Sequence, residues 1–166
     1  MEIIEHTFAE LSQLKYRIYT TFLPNVPNRS VLIVAFEGKY GIGCKGNDDA
    51  EFINAIVVAA RAAWQSSCFV LDYRAMEYEW GDRLLVETGH KEITQETAAV
   101  LRAFGGMPDC SATLVSDLNR EATSSLLGSE YGYGSDSAWL FDDLDAALAA
   151  FESVWRQFQA EKTNSA

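Results

Sequence analysis

Four carboxylates lie close together in one segment of the chain, and residues of this type could do acid–base chemistry. They are Asp72, Glu77, Glu79 and Asp82. Paired carboxylates serve as general acid and base in many enzymes, and oxygen-rich sets of them bind hard cations. In this segment they alternate with Arg74 and precede Arg83, which is typical of a solvated rim linked by ion pairs. We therefore favour such a rim over a catalytic pair.

Aromatic side chains are interleaved with these carboxylates. They are Tyr73, Tyr78 and Trp80, and tyrosine and tryptophan dominate the binding energy of many protein interfaces. The segment directly follows an apolar strand pattern, Cys68 to Leu71, and α/β domains often carry functional residues where such strands end. Packing of the rings beneath the rim is the alternative. We predict a partner-binding surface made of Asp72, Tyr73, Glu77, Tyr78, Glu79, Trp80 and Asp82.

A glycine-rich motif precedes this segment. Residues 41–46, GIGCKG, match G-x-G-x-x-G between a strand and a helix, a pattern whose glycines bring backbone close to pyrophosphate in dinucleotide sites. Four residues separate the strand from the motif, and Asp48 and Asp49 place acids where the phosphate would bind. A small-ligand, nucleotide or CoA-binding enzyme that uses the Gly38–Gly46 loop is therefore the alternative to a partner-binding domain.

A second glycine- and tyrosine-rich stretch, SEYGYGSDS, begins at residue 129. Binding loops often combine mobile glycines with tyrosine side chains. We predict Tyr131 and Tyr133 as further partner-binding residues, with an ordinary connecting loop as the alternative.

Patterns for nucleophilic or metal chemistry are missing from the sequence. There is no G-x-S-x-G motif, and the two histidines, His6 and His90, stand far apart. The three cysteines, Cys44, Cys68 and Cys110, have no C-x-x-C spacing and suggest neither a disulfide framework nor a zinc site. We predict no catalytic residue, no metal and no cofactor, and expect Cys68 to be a small core residue.

The net charge of −11 limits the class of partner. Nucleic-acid binding needs an excess of Lys and Arg for phosphate contacts, so we predict no nucleic-acid partner. An acidic chain attracts a basic protein over long distances. Since no apolar run reaches the about 18 residues of a membrane span and the N-terminus is acidic rather than basic, we expect a cytoplasmic protein without membrane association.

Hydrophobic periodicity predicts alternating strands and helices. The strands are expected at residues 15–23, 31–36, 69–71, 112–115 and 138–141, and the helices at 50–65, 94–104, 117–127 and 142–159. EIIEHTF before the first strand is either its hairpin partner or leads into a short helix through Ala9–Leu14. We predict a single α/β or α+β layered domain over residues 1–160, with a mixed, mostly parallel sheet, about four helices and a frayed tail at 161–166.

The apolar stripe of the last helix has two interpretations. Leu148, Phe151 and Trp155 share one face of this helix with several further apolar residues. Such a face either covers the sheet or forms a homodimer.

The order of elements resembles the STAS domain of anti-sigma-factor antagonists. Phe69-Val-Leu-Asp72 is similar to the strand before that family's regulatory loop, and AWLFDDLDAALAAF is similar to its closing strand and helix. The resemblance spans about residues 15–158. It implies a STAS-like fold and docking to a regulatory protein. The family's phosphorylated Ser or Thr is replaced here by Gly81 and Asp82. The resemblance therefore implies docking to a regulatory protein but not control by phosphorylation at this position.

The sequence thus favours a non-enzymatic protein-interaction domain that presents an acidic and aromatic surface. Two versions stay open: an immunity-type inhibitor of a basic toxin, and a regulatory antagonist in a partner-switching circuit.

Overall fold

Alternating helices and strands make up the described part of the chain. The computed structural model describes residues 6–66, 68–80, 84, 110–131 and 140–164. The strands are β1 (Lys15–Phe22), β2 (Ser30–Lys39), β3 (Cys68–Glu77), β4 (Cys110–Leu114) and β5 (Leu140–Phe141). The helices are α1 (Asn47–Trp64), α2 (Arg120–Tyr131) and α3 (Leu144–Asn164), with short 3-10 turns at Phe8–Glu10 and Gly43–Gly46.

The five strands form one mixed sheet in the order β1-β2-β3-β4-β5. β1 and β2 pair antiparallel over the full length of β1, and each later neighbour pairs parallel. The apolar runs at 31–34 and 68–71 are buried on both faces, as parallel central strands require. The predicted fold class, an α/β domain with a mixed and mostly parallel sheet, is confirmed.

The two faces of the sheet are covered by different helices. On one face, Leu32 and Leu71 share a core cluster with the stripe of α1, including Ile53 and Val57, and with Leu126 of α2. Apolar residues at helical spacing along α1 are buried except for Trp64, the last residue of the helix, which is 50% exposed; the buried ones are Phe52, Ile53, Ile56, Val57 and Ala60.

On the other face, the apolar stripe of α3 packs against the sheet. Ala147 and Phe151 are fully buried beside Val31, Val70 and Ala112. Of the two interpretations of this stripe, the structure therefore favours coverage of the chain's own sheet.

Several predicted elements differ in detail. β1 pairs with β2, and the residues before it form a 3-10 turn at Phe8–Glu10, which is closer to the short-helix alternative than to a hairpin strand. β3 continues to Glu77, six residues past the predicted end, because its polar second half still pairs with β2. The helix predicted at 94–104 lies outside the described residues.

A buried carboxylate fastens the β1–β2 turn to α3. The backbone N–H of Asn25 donates a hydrogen bond of 2.9 Å to Glu152, and the Asn25 side-chain amide donates to both carboxylate oxygens at 3.2 and 3.0 Å. Glu152 is only 7% exposed. The Asn25 side-chain amide, then its backbone N–H, lower the pKa of the Glu152 carboxyl against the opposing effect of burial.

We expect Glu152→Gln to destabilise the fold in a pH-dependent way. A carboxyl whose pKa is lower in the folded chain stabilises that chain above the ordinary value of 4.5, and this contribution disappears as pH falls through the folded pKa. The free energy of unfolding of the two proteins should therefore differ near neutral pH and converge in acid. Urea unfolding at stepwise lower pH measures this difference. Glu161→Gln, an exposed change on the same helix, is the control, and a pH-independent difference for Glu152→Gln would contradict the assignment.

Candidate partner-binding surface

Along the second half of β3 and the residues that follow it, some of the predicted surface residues are buried and others are exposed. Tyr73 is fully buried, its ring 5.9 Å from that of Phe36, and burial raises the pKa of its hydroxyl well above the ordinary value. Tyr78 is 2% exposed and packs edge-on against Tyr40 at 5.2 Å. Both rings therefore belong to the core beneath the rim, and Tyr78 also borders the groove described below.

Asp72 and Arg74 of the central strand β3 form a bidentate ion pair at the point where β4 ends. The guanidinium donates to Oδ1 of Asp72 at 2.9 Å and to Oδ2 at 2.7 Å. Hydrogen bonding to Asp72 is the largest cause that raises the pKa of Arg74. Because both oxygens of Asp72 accept hydrogen bonds from its neighbour, this carboxylate matches the predicted ion-paired rim rather than a general base.

Glu77 and Glu79 extend the rim on its exposed side. Lys39 of β2 lies between them, with its ammonium 3.7 Å from Glu77 and 3.6 Å from Glu79. All three side chains are more than half exposed, so the cluster contributes little to stability and remains accessible.

Trp80 connects this rim to the glycine-rich loop. The backbone N–H of Gly43 donates to the carbonyl of Trp80 at 3.3 Å, and a Cβ at Gly43 would stand 2.9 Å from the indole ring. Gly43 also has a φ of +59°, which favours glycine. The indole is nevertheless 59% exposed. The glycine-rich loop and the rim therefore form one surface, although Gly43 and Trp80 lie more than thirty positions apart in the sequence.

The glycine-rich loop is closed by a carboxylate of its own chain. Asp49 in the first turn of α1 accepts hydrogen bonds from the Ser12 hydroxyl (2.5 Å) and the Gly41 N–H (2.7 Å). A Cβ at Gly46 would stand 2.3 Å from the Tyr40 ring, so this glycine permits close packing. A phosphate near the Gly41 N–H would meet the buried carboxylate of Asp49, which disfavours a nucleotide site here.

Side chains after β4 bond the edge of β3 where β4 has ended. Leu114, the last residue of β4, pairs with Asp72, and among the described residues no strand pairs with the next part of β3 on this side. The side-chain amide of Asn119 donates to the carbonyls of Tyr73 (2.5 Å) and Met76 (2.8 Å). These bonds hold the start of α2 at a fixed position beside the rim.

An open groove of about 460 Å³ lies between the rim and the start of α2. Trp80 and Leu118, which is 58% exposed, both line it. Three of its lining side chains are acidic: Glu79, Asp117 and Glu121. Asp117, Leu118 and Glu121 were not among the predicted site residues, since their place beside Trp80 depends on the Asn119 bonds to β3.

Of the nine predicted partner-binding residues, three line this groove (Tyr78, Glu79 and Trp80), three are described but lie outside its lining (Asp72, Tyr73 and Glu77), and the remaining three are not placed by the structure. Asp82 and Tyr133 lie outside the described residues, and Tyr131 is the last residue of α2, with its side chain outside the described part. Their role as partner-binding residues stays a prediction.

A second exposed surface lies along β1, with a different character. Tyr19 and Phe22 are 47% and 66% exposed, and the charged residues of this strand, Lys15 and Arg17, are basic. Both bases lie within 4 Å of Glu37 on β2. This surface is aromatic but not acidic, so it serves as a comparison for the groove.

The described ranges contain neither a candidate metal cluster nor a helix that could cross a membrane. Among residues 6–66, 68–80, 84, 110–131 and 140–164, no three His, Cys, Asp or Glu residues are grouped as a metal site would need. In that same part of the chain, none of the helices has the length and apolar character needed to cross a membrane.

Comparisons with known proteins yield one structural similarity. No protein-family model matches the chain, and no curated protein matches it. The structure is similar to the crystal structure of an anti-sigma factor antagonist from Mycobacterium paratuberculosis, at 15% sequence identity and a TM-score of 0.43. The similarity covers 82% of this chain and 93% of that chain.

We expect Asp49→Ala to lower the free energy of unfolding by about 1–3 kcal/mol, because it leaves the Ser12 hydroxyl and the Gly41 N–H without their acceptor. Asp48→Ala is the matched control: Asp48 is an exposed carboxylate in the same turn of α1, so it reports only the helix-dipole contribution. Urea unfolding of both variants measures the difference. Equal losses would show that the buried hydrogen bonds of Asp49 do not stabilise the loop.

Proposed function

We propose that this chain is a non-enzymatic interaction domain that binds a protein partner through the groove between Trp80 and Leu118. The observation that carries the proposal is the exposure of these two large apolar side chains in the lining of one groove. Apolar side chains presented in a concave site gain most from desolvation when a partner covers them. The groove is open and shallow enough for a side chain or helix of another protein.

The charge around the groove indicates a basic partner. Glu79, Asp117 and Glu121 line it, and the whole chain carries a net charge of −11. Acidic side chains around an apolar centre attract a basic protein during encounter and orient it on contact. Both an immunity-type inhibitor of a basic toxin and a regulatory antagonist fit this description. The identity of the captured partner distinguishes these two versions.

We expect Trp80→Ala and Leu118→Ala each to weaken partner binding at least about tenfold, since truncation of an interface anchor costs about 2 kcal/mol or more. The melting temperature should change little, because both side chains are more than half exposed. The partner is first captured from the native host with the tagged chain and identified by mass spectrometry. Isothermal titration calorimetry with the purified partner then gives the dissociation constants.

Matched controls come from the other exposed apolar residues. Trp64→Ala and Val58→Ala remove an indole and an aliphatic side chain from α1 that are 50% and 55% exposed. Tyr19→Ala tests the aromatic surface of β1. Loss of binding in Tyr19→Ala with Trp80→Ala unaffected would assign the partner to β1 and contradict the groove. Glu121→Lys should weaken binding more at low salt than at high salt, whereas Glu161→Lys should not.

A ligand screen tests the enzyme alternative. A ligand bound only by the folded chain raises its melting temperature by mass action. We expect no increase with NAD, ATP or coenzyme A, because the Gly41 N–H already donates to Asp49 and a phosphate would be repelled there. A concentration-dependent increase that is lost in a Gly43→Ala variant would instead assign a ligand to the Gly38–Gly46 loop.

A further inference from the structure

β1 lies at one edge of the sheet and is open to solvent. All eight of its residues pair with β2 in one unbroken register, and among the described residues no other strand pairs with it. Six of the eight are exposed. The strand contains no proline and no bulge, two features by which natural proteins protect an open edge. β1 is therefore a regular edge that can accept another strand.

Exposed aromatic side chains are concentrated at this edge. Tyr16, Tyr19 and Phe22 are between 45% and 66% exposed. The ring of Tyr16 packs edge-on against Phe52 of α1 at 5.9 Å, so Tyr16 lies on the α1 side of the sheet. Because side chains alternate along a strand, Phe22 shares that side, and Tyr19 lies on the side that α3 covers, opposite Ile33. Aromatic surface is therefore presented on both faces of the open edge, as in many interaction sites.

The aromatic positions are symmetric about Tyr19, which favours a second copy of the same strand as the occupant. Tyr16 lies three residues before Tyr19, and Phe22 lies three residues after it. In an antiparallel pair of β1 strands with the two Tyr19 residues opposite each other, each Tyr16 lies opposite Phe22 of the second copy. A twofold axis perpendicular to the sheet generates this arrangement. Aromatic pairs opposite each other on neighbouring strands stabilise a sheet, so the strand complements itself.

The charges of β1 fit the same register. Its two bases, Lys15 and Arg17, lie in the first half of the strand, 3.8 and 3.6 Å from Glu37 of their own chain. In the register centred on Tyr19, Arg17 lies opposite Thr21 of the second copy. The two Arg17 residues are then four positions apart along the strands, about 13 Å, which exceeds the screening length of about 8–10 Å at ordinary salt. A parallel pair would instead place like charges directly opposite each other.

We propose that the chain forms a twofold-symmetric homodimer through β1, with Tyr19 on the axis. The sheets of the two copies join edge to edge, and backbone hydrogen bonds between the two β1 strands hold them together. The aromatic pairs determine the register. None of the residues that line the groove belongs to β1, so the inference does not rest on the function of the groove.

Sedimentation equilibrium over a range of protein concentrations tests the dimer. Moderate salt is used, because two copies with a net charge of −11 each repel one another. We expect a monomer–dimer equilibrium in the wild-type protein. Tyr19→Lys should raise its dissociation constant at least about tenfold, because two ammonium groups then lie opposite each other across the axis. Val58→Lys, which adds the same charge at an exposed position of α1, should not weaken the dimer.

A cysteine cross-link tests the register. The variants carry Cys44→Ser, which removes the exposed cysteine. Tyr19→Cys should form a disulfide between two copies under mild oxidation, because residues directly opposite on antiparallel strands are close enough for this bond. Arg17→Cys is the matched control: it lies on the same face, two positions away, and about 13 Å from its equivalent in the second copy. Non-reducing electrophoresis separates the cross-linked dimer from the monomer.

Three outcomes would overturn the proposal: a wild-type monomer at every concentration, a dimer that a folded Tyr19→Lys protein retains unchanged, or equal cross-linking of Tyr19→Cys and Arg17→Cys. Circular dichroism verifies that each variant folds, and the cross-link does not depend on the Tyr19→Lys protein. Trp80→Ala should leave the dimer intact. Loss of the dimer in Trp80→Ala would place the contact between copies in the groove and would also contradict the β1 interface.

Discussion

Burial of β3 between β2 and β4, with helices on both faces, is the constraint on which the rest of the structure depends. Its first half, Cys68–Leu71, is almost free of solvent contact, so its backbone groups must all find partners within the protein. The backbone groups in the second half of β3, beyond the end of β4, must also find hydrogen-bond partners. Asn119 then donates to the carbonyls of Tyr73 and Met76, and Ser116 donates to that of Arg74. The hydrogen bonds that the β3 carbonyl groups accept from Ser116 and Asn119 thereby determine where α2 begins.

The candidate surface is a consequence of the same backbone pairing. β3 leads directly into Trp80, and the side chains that bond its backbone beyond the end of β4 bring Leu118 into the lining of the same groove. On the other side, the Tyr40 N–H donates to the carbonyl of Glu77 and the Gly43 N–H to that of Trp80, so the glycine-rich loop supports the indole. The glycines serve close backbone packing, and an internal carboxylate occupies the amide that a phosphate would need. A protein-binding role follows from this geometry more directly than a nucleotide-binding role.

Local patterns in the sequence were sufficient for most of the fold. Continuous apolar runs identified β2 and the first half of β3, and the 3.6-residue periodicity identified α1 and α3. The same patterns could not place the end of β3, because a polar strand edge held by side-chain hydrogen bonds has no hydrophobic signal. For the candidate site, the sequence indicated a segment that borders the groove but could not separate exposed from buried rings. Tyr73 and Tyr78 alternate with charged residues just as Trp80 does, yet only Trp80 remains accessible.

What the sequence alone determined is the class of the molecule: an acidic α/β chain whose charges and aromatic rings concentrate after a buried strand. These are properties of composition and of contacts between near neighbours, which short-range periodicity reports. Only the tertiary structure decided which residues come together. Leu118 and Trp80 line one groove, Asp49 accepts a hydrogen bond from Gly41, and Cys110 is the register partner of Cys68. Two of these contacts join residues far apart in the chain, and all three depend on strand register and on side-chain hydrogen bonds. Such pairings arise when the whole core packs, so no local segment of the sequence specifies them.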